Sequence, residues 1–153
     1  MPKVVLVHPE IPPNTGNIAR TCAANETELH LVRPLGFEIS DRYLKRAGLD
    51  YWSYVKLQDH ENWEAFHTFQ QQQGGRLVGF SVRGSNHYSQ FSFQKDDWLL
   101  FGCETKGLPK TILSLCDATV YIPITSPNVR SLNLSVSVAV GLFEARRQLG
   151  ELT

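Results

Sequence analysis

The chain has 153 residues, enough for one domain with a substantial core, and its 42% hydrophobic share argues against disorder. Its formal net charge of zero gives no overall sign of a nucleic-acid partner, although a local basic face is compatible with that total. Three cysteines without a CxxC pair fit neither a disulfide framework nor a zinc site and indicate free thiols in a reducing cytoplasm. The apolar run at residues 4–7 is too short for a signal-peptide core or a membrane span, so we expect a soluble cytoplasmic protein.

The first elements in the chain are predicted as strand, helix, strand. Residues 3–8 and 29–32 are apolar and rich in β-branched or leucine side chains, which is typical of buried parallel strands. Between them a proline-rich turn leads into a helix, and we expect Asn14 or Thr15 to cap it. Arg20 falls among the apolar positions of this helix, and its side chain is either a solvated surface group or directed toward the strand ends.

A short helix is predicted next, from residue 40 or 41 through residue 47, ending at Gly48. Arg42, Lys45 and Arg46 have spacings that can share one face of it, and they form the densest basic cluster in the sequence. Such a cluster is a solvated face or a set of phosphate contacts, and the pattern itself leaves both open.

The middle of the chain predicts a short strand at residues 54–57 and a helix at residues 62–70. Trp63, Phe66 and Phe69 form the apolar stripe of this helix and are expected in the core. Another strand is predicted at residues 77–81, so Phe80 lies near its carboxyl end. Phe80 is therefore a core residue or a residue that stacks on a ligand.

A strand at residues 98–102 ends in a polar segment with a glycine on each side, Gly102 and Gly107. Glycines there let the backbone turn sharply and approach a ligand closely. A helix is predicted to follow at residues 110–115. Cys103 has no evident base beside it, which argues against a nucleophilic role.

The last strand is predicted to end near residues 120–122, because Pro123 cannot continue a central ladder. A polar loop follows, and Ser131 is expected to cap a helix that runs to about Leu149 and stops at Gly150. Ser131 and Asn133 are polar groups near the unpaired amide groups of that helix start, where acceptors bind. Strands alternating with helices predict an α/β fold with a mostly parallel sheet and helices on both faces.

Three segments together resemble one known family. The sequence reads NTGNIAR at residues 14–20, FGCETKGLP at residues 101–109, and Ile122-Pro123 leading to RSLNLS at residues 130–135, whereas neither GxGxxG nor GxxxxGK[ST] occurs. The chain resembles the SPOUT superfamily of knotted RNA methyltransferases over nearly its whole length. PEIPPNTGNIAR and RAGLDYW resemble the minimal branch that methylates the wobble-position ribose of certain leucine tRNAs.

The resemblance implies a deep trefoil knot in the carboxyl-terminal half, in a single domain of residues 1–153 without a separate RNA-binding domain. It also implies S-adenosylmethionine as cofactor and no metal. The implied cofactor-binding residues are Phe80, Gly102, Glu104, Leu108, Ile122, Ser131 and Leu134.

The reaction implied is 2'-O-ribose methylation of the wobble nucleotide 34, cytidine or modified uridine, of leucine tRNAs by a homodimer. Arg20 matches the family's motif arginine, as general base or phosphate contact, and Ser131 and Asn133 orient the cofactor or the hydroxyl. The implied RNA-binding residues are Arg20, Arg42, Lys45, Arg46 and Arg130. The alternatives are another tRNA or rRNA site, a non-catalytic RNA-binding knot protein, and a small hydrolase that uses Cys103 with a histidine such as His8.

Overall fold

The computed structural model describes residues 1–40, 42, 46 and 49–153. Most of the helix predicted from residue 40 or 41 to residue 47, including Lys45, therefore lies outside the described residues. Arg42 and Arg46 are described as helical and exposed.

The described residues form a seven-stranded sheet in which every paired strand is parallel, in the order β3-β2-β1-β6-β4-β7-β5. The predicted parallel α/β class is confirmed. Two late strands are inserted between earlier ones, β6 between β1 and β4 and β7 between β4 and β5. The strands are β1 Lys3–Val7, β2 Glu28–Val32, β3 Lys56–His60, β4 Leu77–Phe80, β5 Asn86–His87, β6 Trp98–Phe101 and β7 Ala118–Tyr121.

Helices cover both faces of the sheet, as predicted. They are α1 Pro12–Ala24, α2 Trp63–Gln73, α3 Lys110–Leu113 and α4 Leu134–Gln148, with a 3-10 helix at Leu49–Tyr54. Because side chains alternate along a strand, Val4 and Leu6 of β1 pack in the cluster that includes α1 and α4, whereas Val5 and Val7 pack in the cluster that includes α2 and α3. The central strands are thus buried on both sides.

Two predicted helix caps were wrong. The amino-terminal cap position of α1 is Ile11, which makes no side-chain cap hydrogen bond, and Asn14 and Thr15 are buried inside the helix. The cap of α4 is Asn133 and not Ser131, since the Asn133 side chain accepts from the backbone amides of the helix's first turn. Ser131 therefore stays in the loop, while the predicted stop at Gly150 is confirmed by its positive φ of 70°.

Several element boundaries also differ from prediction. Strand β3 lies at Lys56–His60, later than predicted, and α2 extends to Gln73. Helix α3 ends at Leu113, two residues early. The edge strand β5, Asn86–His87, was missed because two residues carry no periodic pattern. The predicted aromatic stripe of α2 is confirmed as core.

A buried histidine pair lies between β2 and β3 under the aromatic side chains of α2. Nδ1 of His30 is 2.9 Å from Nε2 of His60, and both rings contact Phe66. Burial lowers the pKa of His30 to about 4, because the charged ring is poorly solvated there, and burial also lowers the pKa of His60. The fold thus selects the neutral form of this pair.

The trefoil knot stays a prediction from the resemblance. No helix among the described residues is long and apolar enough to cross a membrane.

Candidate active site

A cleft of about 680 Å³ opens at the carboxyl ends of β4, β6 and β7, the edge at which parallel α/β sheets bind ligands. Every residue predicted to bind the cofactor lines it. These are Phe80, Gly102, Glu104, Leu108, Ile122, Ser131 and Leu134. Residues from three separate segments of the sequence therefore meet at one place.

Phe80 forms an apolar wall of the cleft and is held by its neighbours. Its ring stacks on Phe101 with centroids 4.4 Å apart. On α4, a Cβ at Gly141 would lie only 2.6 Å from the Phe80 ring, so a larger residue there would require the ring to move. Phe80 is 7% exposed, which makes it both a core residue and a lining residue.

The loop after β6 folds back tightly against its own strand. Gly107 has φ +69° and donates its amide to the carbonyl of Cys103 at 3.0 Å. A Cβ at Gly102 would overlap the backbone of Gly107 and Leu108. The predicted close approach at Gly102 is therefore made by the protein's own loop, which shapes the wall of the cleft.

Glu104 ties this loop to the start of α1. Its carboxylate accepts hydrogen bonds from the backbone amides of Glu10 and Ile11, each at 2.8 Å. It also accepts from Nδ2 of Asn14 at 3.3 Å. Both carboxylate oxygens are used by the amino-terminal end of α1, where a negative charge also favours the helix dipole. Glu104 therefore links this loop to the start of α1 at the rim of the cleft.

Glu10 makes the reciprocal connection. Its carboxylate accepts from the hydroxyl of Thr105 at 2.8 Å and from the Thr105 amide at 3.1 Å. Both bonds lower the pKa of Glu10, and the bond from the Thr105 hydroxyl has the larger effect. The two glutamates therefore cross-link the segments that precede α1 and follow β6.

Asn14 extends this network to the start of α4. Its Oδ1 accepts from Nδ2 of Asn133 at 3.1 Å, while Asn133 Oδ1 accepts from the amide of Ser135 at 2.8 Å at the start of α4. Asn133 is not among the residues that line the cleft, and its side-chain amide is engaged on both atoms. Asn14 was missed as a site residue because its two partners are 90 and 119 residues away in sequence.

The residues predicted to bind RNA do not all lie at the cleft. Arg130 lines the cleft, and Arg83 and Lys106, which sequence reasoning did not single out, line it too. Arg20 is exposed on α1, does not line the cleft, and places its guanidinium 5.1 Å from the ring centroid of Tyr51. Its role stays a prediction.

The hydrolase alternative finds no support in the geometry. Nδ1 of His8 lies 3.2 Å from the carbonyl of Val32, while the thiol of Cys103 lies near Thr105 and the carbonyl of Gly107. Among the described residues no hydrogen bond joins His8 to Cys103. In the same part of the chain no group of three or more His, Cys, Asp or Glu side chains could hold a metal ion.

Both the sequence and the fold of this chain are similar to those of known proteins. A tRNA (cytidine(34)-2'-O)-methyltransferase of Methylovorus glucosotrophus is 51% identical over 147 residues, 95% of this chain and 94% of that protein. A structure described as giving insight into the 2-OH methylation of C/U34 on tRNA is 48% identical with TM-score 0.94, covering 99% of this chain and 98% of that one. An AdoMet-bound rRNA methyltransferase from Sinorhizobium meliloti is 30% identical with TM-score 0.89, covering 99% of this chain and 57% of the other. Since the model of the SpoU rRNA Methylase family also matches residues 1–143, the chain belongs to that family.

Proposed function

We propose that this protein is an S-adenosylmethionine-dependent enzyme that methylates the 2'-hydroxyl of the wobble nucleotide 34 of leucine tRNAs. The observation that carries the proposal is the meeting of all seven predicted cofactor residues at one cleft, in a chain similar over almost its full length to C34 methyltransferases. Similarity to the structure concerned with C/U34 methylation supports cytidine or uridine at that position.

The lining of the cleft fits S-adenosylmethionine. Phe80, Leu108 and Ile122 offer apolar surface for an adenine ring, while Ser131 and the exposed backbone of the loop after β6 offer hydrogen-bonding groups. When bound, the cofactor supplies a methyl group on a positively charged sulfur. The chain's own contribution is to hold the ribose hydroxyl in line with that group and to exclude competing water.

Arg20 has one of two roles on the RNA side. A guanidinium is a poor base in water, so phosphate positioning is as consistent with its chemistry as proton removal. Arg20 is exposed on α1, so its guanidinium is accessible to a polyanion. We propose Arg42, Lys45, Arg46 and Arg130 as further phosphate contacts.

We also propose that the protein is a homodimer in the cytoplasm and that each protomer is a single domain. Val136 and Phe143 lie seven residues apart on α4, hence on one face, and are 48% and 44% exposed. A second copy of this chain would cover that apolar face. The chain covers 98% of the similar structure concerned with C/U34.

The test is mass spectrometry of nuclease-digested, unmodified leucine tRNA after incubation with the protein and S-adenosylmethionine. We expect one added methyl on the ribose of nucleotide 34, and none with Arg20→Ala, whose cofactor affinity by calorimetry stays that of the wild type. A methyl at another nucleotide would replace the proposed substrate site. Absence of both product and cofactor binding would favour the non-catalytic RNA-binding alternative.

A further inference from the structure

Three cations line the cleft. Among the ionisable residues of its lining are Arg83, Lys106 and Arg130, against a single carboxylate, Glu104. All three cations are exposed, and they come from three different loops, after β4, after β6 and after β7. The local charge is therefore positive in a protein whose formal net charge is zero.

The surroundings of the three cations differ: Lys106 helps to lower the pKa of the nearby Glu10 carboxylate, whereas Arg83 and Arg130 have no charged partner in the described part of the chain. Within the described residues none of the three makes an ion pair or a side-chain hydrogen bond. Elsewhere in the described part of the chain, arginine side chains form ion pairs with carboxylates in Arg33–Asp59, Arg76–Asp97, Arg146–Glu151 and Arg147–Glu144. Glu104, the single carboxylate of the cleft lining, accepts hydrogen bonds from the amides that precede α1, and the three cations outnumber it.

Arg130 also borders a second, smaller pocket of about 370 Å³. Val82, Ile122 and Ile124 line this pocket as well as the main cleft, so the two are adjacent. Tyr121 adds an aromatic residue to its wall. A positively charged groove beside aromatic and apolar surface is the combination with which proteins hold single-stranded nucleic acid.

We propose that Arg83, Lys106 and Arg130 form a phosphate rim that holds the RNA backbone on both sides of the nucleotide whose ribose enters the cleft. Phosphodiesters suit this arrangement, because the three cations come from three separate loops and can contact different phosphates of one backbone. The inference rests on the proposed function and adds Arg83 and Lys106 to the RNA-binding surface.

The test measures binding of unmodified leucine tRNA to the full chain at several potassium chloride concentrations. Replacing a cation that contacts a single-stranded phosphate lowers the slope of log K against log salt by about 0.7. We expect that change for Arg83→Gln and for Lys106→Gln, with unaltered affinity for S-adenosylmethionine and an unaltered melting temperature.

Lys95→Gln is the matched control. Lys95 is exposed and precedes β6, so it lies at the amino-terminal edge of the sheet, opposite the cleft, and it has no ion pair in the described residues. Its replacement removes the same charge and should leave the slope unchanged. An equal slope change in Lys95→Gln would reduce the effect to overall charge and overturn the proposal.

Two further outcomes would also overturn the rim. One is an unchanged slope in both Arg83→Gln and Lys106→Gln. The other is weaker S-adenosylmethionine binding with unchanged tRNA binding, which would assign the cations to the cofactor's carboxylate. Because binding needs no methyl transfer, the slopes are measurable even if nucleotide 34 is not methylated, so failure of the rim and failure of the proposed function are separate results.

Discussion

The Glu104 carboxylate should hold the loop after β6 against the start of α1, and Glu104→Gln tests this directly. Glutamine keeps the shape, but only one of its two terminal atoms accepts hydrogen bonds. One of the two 2.8 Å bonds from the amides of Glu10 and Ile11 would then face an amide NH2 group. The variant loses a charge-assisted bond and creates a donor facing a donor.

A hydrogen bond to a charged group contributes about 1.5–3 kcal/mol, and a charge near a helix amino terminus about 0.3–1 kcal/mol. Glu104 is only partly buried, so solvent reduces both contributions. We expect Glu104→Gln to lower the free energy of unfolding by about 2 kcal/mol. For a chain of this size that corresponds to a melting temperature lower by about 4–8 °C.

The assay is thermal unfolding with and without S-adenosylmethionine, together with calorimetric titration of the cofactor. Glu10→Gln is the matched control, because it makes the same change in a carboxylate that accepts from Thr105 and not from the amides that precede α1, and its effect should be smaller. If Glu104→Gln melts like the wild type but binds the cofactor weakly, the positioning role is wrong and Glu104 is a direct cofactor contact.

Three other perturbations follow from the structure. Because burial lowers the pKa of His30 from 6.5 to about 4, the unfolded chain binds a proton more readily than the folded chain between these pH values. Stability should therefore be full above pH 6.5 and fall as the pH drops toward about 4, by no more than about 1.4 kcal/mol per pH unit. Urea midpoints at several pH values should show this loss, and His30→Gln should reduce it. Gly102→Ala should cost more stability than Gly107→Ala, by denaturant unfolding, because a Cβ meets backbone at the first position and open space at the second; equal losses would contradict this. Phe143→Asp should produce monomers in light scattering, whereas Leu115→Asp, on a residue of similar exposure, should not; a persistent dimer would place the interface elsewhere.

Much of the candidate site was predictable because it lies where strands end. Phe80, Gly102 and Ile122 each follow or close an apolar run, and the carboxyl ends of parallel strands meet at one edge of a sheet. The residues that organise the site were harder to predict. Sequence reasoning chose Ser131 over Asn133 as the cap of α4, because both residue types cap helices well. The contact of Asn133 with the Asn14 side chain is visible only in the folded chain.

The sequence by itself determined the elements that local patterns encode: apolar strands buried on both faces, helices on both sides of the sheet, and polar loops with glycines at the strand ends. The tertiary structure decided which of those loops meet. Glu104 binds backbone amides 93 and 94 residues away, and β6 and β7 enter the sheet between strands formed earlier in the chain. Periodicity reports only on neighbours within a few turns or residues, whereas these contacts depend on the strand order of the whole sheet.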